Sequence, residues 1–162
     1  MVQIFITGGT FDKAYNYITG ELTFFETHID AMLKRGRCAV DYDVKTLMMK
    51  DSLELTDKDR THILQSCRES LHHRIMITHG TDTMVDTATF LASHDLPKTI
   101  VLTGAMIPYS IGHSSDGFFN LGSALAFLQC REQGVWVVMN GRCFPWNGVQ
   151  KNYTTGYFEE SV

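Results

Sequence analysis

The chain has 162 residues, of which 44% are hydrophobic and 20% charged, so we expect one globular domain with a substantial core and not a disordered chain. Its net charge of −4 and the lack of a long basic run argue against nucleic acid or an anionic membrane surface as a partner. It shows no secretory signal pattern and no apolar run of bilayer length, and its four cysteines are widely spaced, so we expect a cytoplasmic protein with reduced thiols.

The first half of the sequence alternates strand and helix patterns. We predict strands at residues 3–6 and 38–47, a long loop at residues 7–22 and a helix at residues 25–35. A connection carrying Asp51-Ser52 follows. Thr56 is a good N-cap for a helix that should run to about Leu71, because the aspartates after it favour a helix start.

The second half continues this alternation. We predict strands at residues 75–78, 99–102 and 135–139, helices at residues 85–94 and 117–133, and an irregular segment at residues 140–162. The pattern predicts an α/β fold, a three-layer α/β/α arrangement with a mostly parallel, Rossmann-like sheet, in a single domain of residues 1–162.

Two turns after predicted strands carry the candidate site. Thr7-Gly8-Gly9-Thr10 follows the first strand, and His79-Gly80-Thr81-Asp82 follows the strand at residues 75–78. Ligands of open α/β sheets bind outside the carboxyl ends of strands, so we expect Thr10 and Thr81 to face one ligand. Taken singly, each of these side chains could instead be a turn or capping residue.

Two other kinds of site find little support in the residues. Gly8-Gly9 does not fit the spacing of a dinucleotide fingerprint, and no Walker lysine follows it. The seven histidines do not form a convincing metal set, since the adjacent His72 and His73 would diverge on a helix or a strand. His79 could simply orient its turn by hydrogen bonds. We therefore expect neither a metal nor an organic cofactor.

The two turns resemble the signature motifs of bacterial-type L-asparaginases. The similarity extends, in order and spacing, over nearly the whole chain, through Thr103-Gly104-Ala105-Met106-Ile107-Pro108, Ser115-Asp116-Gly117-Phe118-Phe119-Asn120-Leu121, Val137-Val138-Met139-Asn140 and Gln150-Lys151-Asn152-Tyr153-Thr154-Thr155. It is a similarity to the amino-terminal, catalytic domain of that family. The chain looks like a short-chain, single-domain asparaginase.

The resemblance implies a threonine amidohydrolase that converts L-asparagine to L-aspartate and ammonia through an acyl-enzyme. By motif match, Thr10 would be the nucleophile that attacks the side-chain amide. Threonine needs a neighbour that removes its proton. Tyr17 would assist, because Tyr17-Ile18-Thr19-Gly20 resembles the family's Tyr-Thr-Val-Gly, and Tyr15 is the alternative.

The resemblance also implies a second group of residues around the substrate. Thr81, Asp82 and Lys151 would organise proton transfer, and Asp82 would also hold the substrate's α-ammonium. Ser52, matched through Asp51-Ser52-Leu53-Glu54-Leu55, would bind the α-carboxylate together with backbone N–H groups near Thr81. Without its flanking match, Lys151 would be interpreted as a solvated surface lysine.

The match has departures that bear on substrate choice. Leu53 stands where many family members have a polar residue that helps to bind the α-ammonium, and Glu54 replaces the usual aspartate. We therefore keep two alternatives, an amidase for glutamine or a related amide and a catalytically silent amino-acid-binding or sensor module. The resemblance further implies a small amino acid as the ligand and a homodimer or larger homo-oligomer.

Overall fold

Buried apolar runs form the central sheet of the computed structural model, which describes residues 1–161. The strands are β1 (Val2–Gly8), β2 (Lys13–Asn16), β3 (Glu21–Phe24), β4 (Tyr42–Lys50), β5 (Arg74–Thr78), β6 (Thr99–Thr103), β7 (Gly134–Met139), β8 (Arg142–Pro145), β9 (Val149–Lys151) and β10 (Phe158–Glu160). The helices are α1 (Ile29–Arg35), α2 (Asp57–Glu69), α3 (Met84–Ala92) and α4 (Gly117–Cys130).

The sheet is mostly parallel, as the sequence predicts. Its six strands follow the order β4-β1-β5-β6-β7-β8, and all neighbours are parallel except β7 and β8. Because β1 and β5 are adjacent, the turns that follow them emerge side by side at the carboxyl edge. The strand order therefore explains how two motifs about seventy residues apart in sequence reach one place.

Helices cover both faces of the sheet and produce the three predicted layers. On one face, α2 and α3 bury residues such as Ile63, Cys67 and Leu91 against the sheet. On the other face, α1 and α4 bury residues such as Met32 and Leu121. None of the helices in the described part of the chain is long and apolar enough to cross a membrane.

The start of α2 follows from local chemistry. The Thr56 side chain accepts a hydrogen bond from the Asp59 N–H, and the Asp59 carboxylate accepts one from the Thr56 N–H, which is a capping box. The Lys50 ammonium, with help from these Thr56 bonds, lowers the pKa of Asp59 to about 2. The predicted N-cap is thus confirmed, and the helix ends two residues before the expected Leu71.

Two segments predicted without regular structure contain short hairpins, so those predictions were wrong. Residues 7–22 include β2 and the first half of β3, which pair antiparallel around a turn whose Gly20 has a φ of +76°. Residues 140–161 include β8, β9 and β10, of which β9 and β10 form a second hairpin. Strands of three or four residues offer too few alternations for a clear period. Val162, the last residue of the irregular prediction, lies outside the described residues.

Candidate active site

A backbone contact between two glycines joins the turns after β1 and β5. A Cβ placed on Gly9 would lie 2.3 Å from the Gly80 backbone nitrogen, so only glycine permits this approach. A second contact joins the ends of the two strands, because the Thr7 hydroxyl donates to the Thr78 carbonyl at 2.7 Å. Thr10 and Thr81, each next to one of the contacting glycines, therefore lie at the same edge of the sheet.

Ser52 joins this contact from a third segment, the short 3-10 turn after β4. A Cβ on Gly80 would lie 2.6 Å from the Ser52 Oγ, and the Thr83 hydroxyl donates to the Ser52 carbonyl at 2.8 Å. The Ser52 Oγ is buried and has no hydrogen-bond partner within residues 1–161. Buried polar atoms are normally paired, so this hydroxyl is available to a ligand.

Lys151 reaches the same place from the β9–β10 hairpin. Its Nζ donates to the Thr81 Oγ1 at 2.8 Å and to the Asp82 Oδ1 at 2.6 Å. The Lys151 side chain is only 8% exposed, whereas that of Asp82 is 34% exposed. A nearly buried ammonium beside a threonine hydroxyl can stabilise negative charge that develops on that oxygen.

Tyr153 completes the enclosure of the lysine and was not singled out from the sequence. Its hydroxyl donates to the Asp82 carbonyl at 3.2 Å, and its ring centroid lies 5.1 Å from the Lys151 Nζ. An aromatic face attracts a cation at such a distance. Its position two residues after Lys151 was the available signal, but only the hairpin brings the ring onto the ammonium.

His79 holds the second turn from within the core. It is fully buried, its Nδ1 donates to the Gly80 carbonyl at 2.7 Å, and its Nε2 accepts from the Thr87 hydroxyl at 2.8 Å. Burial lowers the pKa of His79 to about 4, the nearby Arg60 charge adds to this effect, and the Gly80 bond opposes it. His79 is thus a neutral residue that orients its turn, which is the structural role weighed from the sequence.

Tyr17 and Tyr15 lie on the β2–β3 hairpin. Tyr17 occupies the hairpin turn and is 85% exposed, and Tyr15 lies on β2 opposite Leu22 and is 61% exposed. Neither tyrosine makes a side-chain hydrogen bond to the Thr81–Lys151 group in the described part of the chain. The structure brings the turns of Thr10, Ser52 and Thr81 together with Asp82 and Lys151, and it leaves the two tyrosines exposed on the hairpin.

An ion pair fastens this hairpin to the Ser52 turn. The Lys13 Nζ donates to the Asp51 carboxylate, and the Lys13 carbonyl accepts from the Ser110 hydroxyl at 2.9 Å. The Lys13 bond lowers the pKa of Asp51 below its ordinary value. Sequence reasoning missed this pair, although opposite charges beside the Thr10 and Ser52 motifs offered a signal for it.

Asp116 directly precedes α4, and its side chain bonds to the loop after β6. Its side chain makes no capping bond to α4. Its carboxylate instead accepts from the Met106 and Ile107 N–H groups, each at 3.0 Å, and from the Asn120 amide at 2.9 Å. The Ser115 hydroxyl accepts from the Gly117 N–H at 3.0 Å. Asp116 thus fixes the loop after β6, which borders the site.

Within residues 1–161, no group of three or more histidine, cysteine or acidic side chains is arranged to hold a metal ion. The polar groups that the structure brings together are a nearly buried lysine bonded to a threonine and an aspartate, and a serine hydroxyl without a hydrogen-bond partner in the described residues. Fold and site together define an α/β protein with hydroxyl and lysine groups at the carboxyl edge of a parallel sheet.

Comparison with known proteins shows the family to which this α/β protein belongs. The family described as Asparaginase, N-terminal, matches residues 1–158, and the chain belongs to the asparaginase family. A glutaminase-asparaginase of Acinetobacter glutaminasificans is 34% identical over 165 residues, which cover 93% of this chain and 49% of that protein. The chain therefore spans about half the length of this relative.

Solved structures agree with this assignment. The thermostable L-asparaginase from Thermococcus kodakarensis has a TM-score of 0.85 and 25% identity, over 98% of this chain and 50% of that one. A probable cytoplasmic L-asparaginase from Campylobacter jejuni has a TM-score of 0.83 and 29% identity, over 98% of this chain and 52% of that one. The predicted fold class and the resemblance to the amino-terminal domain are confirmed.

Proposed function

We propose that this chain carries the catalytic site of an L-asparagine amidohydrolase, which releases L-aspartate and ammonia. The observation that carries this proposal is the pair of bonds from Lys151 to Thr81 and Asp82, at 2.8 and 2.6 Å. The Lys151 side chain is only 8% exposed, and both of its partners lie in the turn after β5, so its charge is directed into the candidate site. Membership of the asparaginase family supports the same activity.

The chemistry proceeds through two half-reactions in this proposal. The Thr10 oxygen attacks the amide carbon, its proton passes to the departing nitrogen, and ammonia leaves an ester on Thr10. Water then attacks the ester carbon, and the Thr10 oxygen regains a proton as aspartate forms. Thr81, Asp82 and Lys151 organise proton transfer in this scheme, and Tyr17 or Tyr15 assists Thr10 if the hairpin closes over the substrate.

Substrate binding is proposed to use charge and a free hydroxyl. The Asp82 carboxylate, which is one-third exposed, holds the α-ammonium. The buried Ser52 Oγ and the backbone N–H groups near Thr81 receive the α-carboxylate. The exposed Leu53 has no polar group that could bind the α-ammonium, so we expect Asp82 to bind that group.

An amidase for glutamine is the second enzyme candidate, and the name of the Acinetobacter relative, a glutaminase-asparaginase, favours testing it. One added methylene changes binding in a pocket by about 1–3 kcal/mol, so the two amides could both be substrates. A silent amino-acid-binding module is the non-enzymatic alternative, favoured by the apolar Leu53 beside Ser52.

The test is ammonia release by the purified protein from asparagine, glutamine and small amides. We expect turnover with asparagine and less with the other amides. Faster turnover of glutamine would change the substrate assignment. Binding of asparagine without ammonia release, at protein concentrations that reveal slow rates, would replace the enzyme by the binding module.

Assembly and location are further parts of the proposal. We infer a homodimer or larger homo-oligomer, which light scattering at micromolar concentration checks. We also infer a cytoplasmic location, in line with the name of the Campylobacter relative and with the four free cysteines. Cell fractionation of the native source tests the location, and recovery in an extracytoplasmic fraction would contradict it.

A further inference from the structure

The longest strand of the sheet lies at an open edge. Strand β4 has nine residues and, within residues 1–161, pairs only with β1. The opposite edge is β8, which has four residues and ends in Pro145, a residue without a backbone N–H. An edge strand presents unpaired N–H and C=O groups to another chain, so β4 is the edge available for pairing.

The register shows which residues of β4 face outward. The Val2 N–H donates to the Asp41 carbonyl at 2.8 Å, and Ile4 is opposite Val44. Successive residues of a strand direct their backbone groups to alternate sides, so Asp43 and Lys45 also bond toward β1. Val44, between them, directs its N–H and C=O toward the open edge.

Two opposite charges flank this outward residue. Asp43 and Lys45 are both exposed and, being two positions apart, lie on the same face of the sheet. They line a groove beside α2 together with Phe5 and Leu71. Lys45 makes no salt bridge within the described residues, and the Asp43 carboxylate accepts only from the Gln3 amide, at 3.1 Å.

We propose that two copies of this chain pair through β4, antiparallel, about a two-fold axis at Val44. Val44 then lies opposite Val44 of the second copy and exchanges both backbone bonds with it. Asp43 lies opposite Lys45 of the second copy, and the symmetry makes this contact twice. The Asp43–Lys45 pairs occupy non-hydrogen-bonded positions, where opposed Cα atoms approach to about 4.5 Å and side chains are closest. The two six-stranded sheets become one continuous sheet.

Charge favours the pairing centred on Val44 over pairings shifted by two residues along β4. An axis at Tyr42 would place Asp41 opposite Asp43, which is a like-charge pair. An axis at Thr46 would place Lys45 opposite Leu47 and leave Asp43 opposite Met49. Charges on an edge strand commonly protect it from pairing, but here their signs are complementary when the axis lies at Val44.

The same geometry leaves the candidate active site open. The paired segment is centred on Val44, whereas Ser52 lies beyond the carboxyl end of β4. Leu71, which is 92% exposed, lines the groove next to Asp43 and Lys45 and offers apolar area to the second copy. The interface therefore stands apart from the proposed amidohydrolase activity, and either can fail without the other, whereas a monomeric chain would also contradict the proposed homo-oligomer.

Sedimentation velocity over micromolar to hundred-micromolar protein tests this interface. We expect a monomer–dimer equilibrium for the wild-type chain. Lys45→Glu and Asp43→Lys should each weaken dimerisation by at least about tenfold, because each places like charges opposite one another twice. The double variant Asp43→Lys/Lys45→Asp restores opposite charges and should recover dimerisation to within a few-fold. Lys58→Glu, a substitution at an exposed residue outside β4, makes the same change in net charge as Lys45→Glu and should leave dimerisation unchanged.

Hydrogen exchange provides a second readout on the same proteins, whose folding is checked by circular dichroism. The Val44 amide should exchange more slowly as wild-type concentration rises, and this dependence should vanish in Lys45→Glu. A wild-type chain that stays monomeric throughout would overturn the proposal. So would a dimer that is indifferent to the single charge reversals, or one that the double reversal does not restore.

Discussion

At the scale of single residues, Lys151 is the residue on which the proposed site depends. Its ammonium bonds the Thr81 hydroxyl and the Asp82 carboxylate at once, and both bonds are short. The sequence alone favoured a solvated lysine, and only the flanking motif indicated a role in the site. Distance in sequence hides the contact, since seventy residues separate Lys151 from Thr81.

Removing the charge of Lys151 tests its role. Lys151→Met keeps the length of the side chain, and we expect turnover of asparagine to fall by about 10²–10⁴-fold, because one positioned acid–base group typically contributes that much. The exposed Lys58→Met serves as the matched control and should retain turnover. Steady-state ammonia release from both variants, after circular dichroism shows unchanged folding, provides the measurement. Near-normal turnover of Lys151→Met would remove the Thr81–Lys151 relay from the scheme.

His79 predicts a pH dependence of stability. In the unfolded chain its pKa is near 6.5, and burial lowers it to about 4 in the folded protein. Between these values the unfolded state binds more protons, so the contribution is present above pH 6.5 and is lost as the pH falls toward 4. The loss amounts to roughly 3 kcal/mol.

Urea unfolding of the wild-type chain and of His79→Gln at pH 7 and pH 4.5 measures this effect. The variant lacks the titrating group, so its free energy of unfolding should fall less over this interval. Equal losses for both proteins would show that His79 is not held neutral.

At the scale of elements, the site depends on the contact of two glycine turns. Gly9→Ala would place a Cβ 2.3 Å from the Gly80 nitrogen, at a φ of +74° that alanine rarely adopts. We expect a loss of more than about 1 kcal/mol in the free energy of unfolding. Turnover should also be lost, because the turns that carry Thr10 and Thr81 would separate.

Gly122 is the control for this substitution. It lies within α4, and a Cβ there meets no atom within 4 Å. Gly122→Ala should therefore stabilise the protein by about 0.5–1 kcal/mol and leave turnover unchanged. Thermal unfolding and ammonia release compare the two variants, and equal effects would contradict the role given to the Gly9–Gly80 contact.

Elements were predictable where local chemistry determines them. The capping box at Thr56 and the buried runs of β5, β6 and β7 follow from residue types and spacing. The β9–β10 hairpin was not predictable, because its strands have three residues each and depend on the burial of Val149 and Phe158 in the core. That hairpin positions Lys151, so its absence from the prediction left the lysine in an irregular segment.

At the scale of the whole molecule, the order of the strands could not be predicted from the sequence pattern. That order nevertheless determines which turns meet in the candidate site. Alternation of strands and helices predicted a parallel sheet, and it did not predict that β1 lies between β4 and β5. This order brings the turns of Thr10, Ser52 and Thr81 to one edge. The positions at strand ends already predicted that Thr10 and Thr81 face one ligand, and the family resemblance added Ser52 and Lys151 to that site.

Ligand binding should stabilise the whole fold. L-Aspartate at about a hundred times its dissociation constant should stabilise the folded chain by about 2.7 kcal/mol and raise its melting temperature. Ser52→Ala removes the unpaired buried hydroxyl, so it should shrink this rise while leaving the melting temperature without ligand nearly unchanged. Differential scanning calorimetry with and without aspartate measures both values. An undiminished rise in Ser52→Ala would exclude its hydroxyl from the binding site.

Turnover by Thr10→Val shows whether the Thr10 hydroxyl is the nucleophile. Valine keeps the bulk of threonine and removes the hydroxyl that forms the ester, while Ser52 and Asp82 remain to bind aspartate. Ammonia release from asparagine is measured for the wild-type chain and the folded variant side by side. We expect turnover by the wild type and almost none by Thr10→Val, with aspartate still bound. Near-normal turnover by Thr10→Val would contradict this expectation.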